Sequence, residues 1–175
     1  MKPRRFVLEA VMLAVYGHLF EPRRPVEYVI PYTTIMELYE MRQEGEQVMP
    51  DPEEDVLAKQ QIEQLITYFE SELNKKKIER ALTVPWRTSP PLLLRDNVSC
   101  VIINAMDNAH YGELFDPVET ELILTSMREQ APLLTDQFEF VSRLIANEVP
   151  IPIYDIDDFE YAVEQEDFPD DSGIH

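Results

Sequence analysis

Apolar positions recur along this chain at two spacings, and the changes between them mark out its elements. From Glu53 to about Leu82, Val56, Ile62, Leu65, Ile66, Phe69 and Leu73 recur mostly at three and four with charges between them, which predicts one long amphipathic helix. Elsewhere the apolar residues come in short runs bounded by proline or polar clusters, as buried strands do. Such runs are VEYVI before Pro31, VSCVIINAM from Val98, APLLT, and VPIPIY, whose prolines keep it at a sheet edge. Helical patterns run from Thr34 to about Arg42, from Asp116 to about Arg128, and from Asp136 to Asn147. Asp116 and Pro117 suit the cap and first position of the second of these. Prolines 85, 90 and 91 end the long helix, and QEGEQVMPDPEED before it reads as a loop.

Alternating strands and helices predict an α/β fold of three layers, with helices on both faces of a mostly parallel sheet. Its strands are expected over residues 6 to 9, 27 to 30, 99 to 103, 133 to 135 and 151 to 154. Residues 1 to 154 form the expected domain, and residues 155 to 175 an acidic tail that adds little to the core except for FEYAV, which can dock as a turn.

The first apolar run, FVLEAVMLAVY from Phe6 to Tyr16, is interrupted by a single charge at Glu9. A carboxylate there must be paired, solvated or bound to something. Two readings stay open. The run is a buried strand ending near Glu9, or residues 5 to 19 are a helix in which Arg5 and Glu9 pair one turn apart.

Composition changes the picture in charge more than in apolarity. An apolar share of 45 % is that of a packed protein, whereas 34 acids against 15 bases give a formal charge of −19. Nine of those acids lie between Asp155 and Asp171, which leaves 25 acids against the 15 bases in residues 1 to 154. Such a field repels nucleic acid unless a local basic patch opposes it. Lys75, Lys76, Lys77 and Arg80, with Arg23, Arg24 and Arg87, are the residues available for one, although a basic helix end is favoured by the macrodipole alone. The lone cysteine, Cys100, excludes an internal disulfide and fits a reducing compartment, so the cytoplasm is the default location. No stretch approaches about 20 apolar residues, so no spanning helix and no membrane partner are expected.

Four segments, taken in order, resemble the PIN domain, a family of metal-dependent ribonucleases, and its variant at the N-terminus of PhoH-like ATPases. VLEAVMLA is similar to the family's first strand, with Glu9 at its aspartate; VIPYTTIMEL is similar to the next strand and helix, with Glu37 at the glutamate. ETELILTSM resembles the later helix with Glu121 at its acid, and LLTDQFEF the last motif, with Thr135, Asp136 and Phe140 in place. The resemblance implies a Mg²⁺ or Mn²⁺ site built from Glu9, Glu37, Glu121 and Asp136, hydrolysis of RNA phosphodiesters, and RNA as a partner. Ala10 and Val11 stand where the family has small polar residues, and aligning Thr135 and Phe140 puts Gln137 at the last metal-binding aspartate. A catalytically inactive module of the same fold, engaging a protein partner, is the alternative those positions favour.

Each carboxylate also has a local explanation. Glu37 follows Thr34 by three, Glu119 follows Asp116 by three and Glu139 follows Asp136 by three, the spacing of capping boxes and N-caps. Glu121 fits a solvated helix face. Asp107 and His110 sit in an irregular stretch as a further possible ion site or a plain surface pair.

Overall fold

The computed structural model describes residues 2–106 and 113–164, so Asp107, His110 and the acidic residues beyond Glu164 lie outside the described residues. Six strands form one sheet in the order β3-β4-β2-β1-β5-β6. They are β1 (Arg4–Val7), β2 (Val26–Pro31), β3 (Leu92–Arg95), β4 (Val98–Ile103), β5 (Leu133–Leu134) and β6 (Ile153–Tyr154). Every pairing is parallel except that of β3 with β4. The helices are α1 (Val11–Val15), α2 (Tyr32–Glu44), α3 (Pro52–Glu70), α4 (Glu72–Ala81), α5 (Pro117–Glu129), α6 (Phe138–Ala146) and α7 (Ile156–Glu164), and a 3-10 turn spans Gly17–Phe20.

The strands alternate, so each register row faces one layer. Phe6, Tyr28 and Cys100 are aligned neighbours and pack against side chains of α1, α2, α3, α4 and α7. The next row, Val7, Val29 and Val101, packs with residues of α5 and α6 on the opposite face. Three layers result, with an apolar core on each side of the sheet. Among the described residues, no helix is long and apolar enough to cross a membrane.

The N-terminal run resolves as a strand followed by the short helix α1, not as one helix over residues 5 to 19. β1 ends at Val7, Glu9 lies two residues beyond it, and Arg5 reaches Glu27 and Glu129, each at 2.9 Å, instead of Glu9. The long helix is two: Ser71, at φ −56 and ψ 146, separates α3 from α4. Asn74, 7 % exposed, donates to the Tyr68 carbonyl at 2.9 Å and so satisfies one of the acceptors that α3 leaves free at its end. The apolar period runs on through this break, which is why the pattern reads as one helix. Val56, near the start of α3, and Leu73, just past the break, point to solvent, at 55 % and 66 % exposure.

β3 joins β4 through Asp96 and Asn97, a two-residue hairpin loop that the sequence reading passes over. Part of the segment set apart as a tail is core. FEYAV belongs to α7, whose Phe159 is 1 % exposed and packs edge-on against Phe6 with ring centroids 5.1 Å apart.

A carboxylate cluster at the carboxyl edge of the sheet

From β1 the sheet grows outward through β2 to β4, then resumes on the other side of β1 with β5 and β6. The crevice between β1 and β5, at the strands' carboxyl ends, is the switch point where open α/β sheets bind ligands. Glu9 follows β1, and Asp136 and Gln137 follow β5, so these three face that crevice from both sides. The Gln137 side-chain amide donates to Glu9 Oε1 at 2.9 Å across it.

Glu37 is not a helix cap. The helix starts at Tyr32 with Pro31 in the cap position, which leaves Thr34 inside the first turn. There the Thr34 hydroxyl donates to the Pro31 carbonyl at 2.8 Å and accepts the Ala10 N–H at 3.1 Å, tying the end of β1 to the start of α2. Glu37 sits one turn further on, half-buried and without a hydrogen bond among the described residues. Asp136 is not a cap either: α6 begins at Phe138 behind Gln137, and Asp136 instead accepts the Tyr16 hydroxyl at 2.6 Å. Glu121 is buried, not solvated, and accepts a hydrogen bond from the Thr33 hydroxyl.

The local reading of Asp116 and Glu119 holds. Asp116 and Glu119 form a reciprocal capping box at the start of α5, at 2.7 and 3.0 Å. Arg143 grips the Glu119 carboxylate through both oxygens, at 2.9 and 2.5 Å. Burial alone would raise that carboxyl, but the guanidinium and the Asp116 N–H together outweigh it and hold Glu119 below the usual carboxylate range.

Glu9 and Glu37 behave in the opposite way. Burial first, then the charges of Glu37, Asp136, Asp116 and Glu119, push Glu9 from 4.5 up to about 7. Burial, then Asp116, Glu40 and Glu121, push Glu37 from 4.5 to about 7 as well. The charges acting on the two are all carboxylates. The structure therefore brings the four residues implied by the resemblance into one electrostatic neighbourhood. It adds Asp116, which acts on both Glu9 and Glu37 and which the sequence shows only as a cap.

The donor set is oxygen throughout and uniformly acidic, the chemistry that suits a hard divalent cation. As the side chains stand, no three His, Cys, Asp or Glu among the described residues converge as a group that could hold a metal ion. Cys100 is fully buried, and burial raises its thiol far above the usual range, so it is an inert core residue. Neither a family model nor a curated protein matches the chain.

Proposed function

We propose that the protein is a PIN-like ribonuclease that takes Mg²⁺ or Mn²⁺ at this cluster and hydrolyses RNA phosphodiesters. One observation carries the reading. Two carboxyls, Glu9 just past β1 and Glu37 in α2, are pushed up to about 7 by burial and by carboxylate neighbours, and neither pairs with a lysine or arginine among the described residues. An arrangement that destabilises the fold at neutral pH is what a cation-binding site looks like before the cation arrives.

Glu9, Glu37, Glu121 and Asp136 would hold the ion. Bound there, it supplies an activated water and neutralises charge on the phosphoryl group. The chain's own residues prepare the site. The Thr33 and Tyr16 hydroxyls orient Glu121 and Asp136, and Thr34 fixes the backbone of Ala10 beside Glu9. Glu9 and Glu37 give up protons when the ion binds, so affinity rises with pH through about 7.

A second reading has its own observations. The Gln137 amide occupies Glu9 Oε1, and exposed apolar side chains stand within two residues of the cluster's acids in sequence: Met36 at 43 %, Leu114 at 51 % and Phe138 at 81 % exposure. An inactive module that engages a protein partner over this rim fits those features.

Thermal unfolding with and without millimolar Mn²⁺, beside an RNA-cleavage assay, separates the two. The ribonuclease reading expects Mn²⁺ to raise the Tm of the wild type but not of Glu37→Gln, and RNA to be cleaved. Gln137→Asp, which exchanges the amide for another oxygen ligand, should enlarge both responses. No Mn²⁺ shift and no cleavage, in the wild type and in Gln137→Asp alike, would leave the binding module.

A further inference from the structure

The two edges of the sheet carry opposite charge. The acidic cluster stands at the carboxyl edge; at the amino edge, Arg4 opens β1, Arg23 and Arg24 precede β2, and Arg95 closes β3 beside the first residue of β4. The Arg4 N–H donates to the Pro25 carbonyl at 3.0 Å and the Val26 N–H to the Asn97 carbonyl at 2.8 Å, which holds these strand ends side by side. With β2 and β4 between β1 and β3, the arginines spread over three strand spacings, about 14–15 Å. Glu21 and Asp96 stand among them, whereas Glu27 and Glu129 are both taken by Arg5. Lys2, Arg4, Arg23 and Arg95 are exposed and make no ion pair among the described residues. In a chain of net charge −19, such an edge is an exception.

α7 leads toward it. Phe159 packs against Phe6 and Tyr28, and further along the helix Tyr161 and Ala162 line a cavity of about 410 Å³ together with Arg4, Ile153 and Tyr154. Asp158 lines it too, with a carboxylate oxygen already accepting the Asp155 N–H at 2.9 Å. Arg4 thus belongs both to the cavity and to the basic edge. Residues 165 to 175, QEDFPDDSGIH, follow α7 directly. They carry Glu166, Asp167, Asp170 and Asp171 without a lysine or arginine, and Phe168 stands in the middle of those acids.

We propose that residues 165 to 175 fold back onto the amino edge of their own chain, with Phe168 seated in this cavity and the acids lying on Arg4, Arg23 and Arg95. Charge matches the segment to the edge, four acids meeting a row of arginines. Length permits it: eleven residues reach about 36–40 Å when extended, more than twice the width of the patch. Phe168 is four residues past Glu164, a reach of about 13–14 Å, so its return to the cavity beside Tyr161 needs no rearrangement of α7. The tether helps as well. Attachment to α7 holds the acids at an effective concentration of the order of millimolar, so contacts too weak to retain a free peptide suffice here. The proposal is independent of the ribonuclease reading, because the acidic cluster lies at the opposite edge. Docked, the segment neutralises the basic edge; released, it uncovers a surface that attracts anions.

The test uses the full chain with Ser172→Cys carrying a nitroxide. Cys100 is fully buried, so the label goes to the new thiol alone. Paramagnetic broadening of backbone amides then maps where the segment lies. At about 0.05 M salt the amides of Arg4, Arg24 and Arg95 should lose intensity, while those of Glu37 and Phe138 at the opposite edge keep theirs. At about 1 M salt, where the screening length falls to about 3 Å, the Arg95 signal should return. Arg23→Glu combined with Arg95→Glu, both at exposed positions, should restore it at low salt, and Phe168→Ala should reduce the broadening at Ala162. A segment that is tethered but undocked broadens only the amides near Glu164, and equally at both salt concentrations. That pattern, or broadening centred on the acidic cluster, would overturn the proposal. So would broadening that the charge reversal and Phe168→Ala leave unchanged.

Discussion

Replacing Glu9 with glutamine isolates what the fold gives up to hold a carboxylate at the sheet edge. The side chain is 9 % exposed, and its carboxyl titrates at about 7 in the fold against an ordinary 4.5. Below pH 4.5 the group is protonated in both folded and unfolded chains and costs nothing. As pH rises through about 7, the unfolded chain has already released the proton that the folded chain retains, so stability falls. By pH 8 the ionised carboxylate costs roughly 3 kcal/mol. Glutamine keeps the shape and can still accept the Gln137 N–H, but burying its own amide takes back part of the gain. The net expectation at pH 8 is a stabilisation of about 2 kcal/mol, which for a chain of this size raises Tm by about 4–8 °C. At pH 5 the two proteins should melt within a degree or two of one another, by the same linkage. A net charge of −19 also destabilises the compact state as pH rises, so the quantity to read is the difference between the two proteins in metal-free buffer. An equal difference at pH 5 and pH 8 would refute the claim that Glu9 is strained by burial and by its acidic neighbours.

Two further substitutions test the frame around the site. Phe159→Ala removes a ring packed between Phe6 and Tyr28 and should cost about 3–5 kcal/mol in denaturant unfolding; a loss under about 1 kcal/mol would show that α7 is not part of the core. Thr34→Val keeps the volume but leaves the buried Ala10 N–H without its acceptor, and should cost about 1–3 kcal/mol by the same measurement. It should also blunt any Mn²⁺ response, because the backbone beside Glu9 is no longer fixed; an unchanged response would separate Thr34 from the site.

What the sequence determined by itself is whatever a few adjacent residues suffice to specify. The apolar runs around Phe6, Val26–Pro31, Val98–Ile103 and Leu133–Leu134 become the parallel strands, because each run is buried on both faces and bounded by residues that break it. Asp116 and Glu119 form their capping box because that motif closes within one turn of helix. The same three-residue spacing misleads at Thr34 and Glu37, since Pro31 starts the helix earlier and tertiary contact claims the threonine hydroxyl for Ala10. Asn74 hides the break between α3 and α4 in the same way: it looks like an ordinary polar position until its amide meets the Tyr68 carbonyl. The acidic neighbourhood belongs wholly to the tertiary structure. Glu9 and Gln137 are 128 residues apart in the chain and touch only because β1 and β5 pair at the switch point. Burial and repulsion among carboxylates depend on distance through space, and no spacing along the chain encodes a distance that the strand order sets.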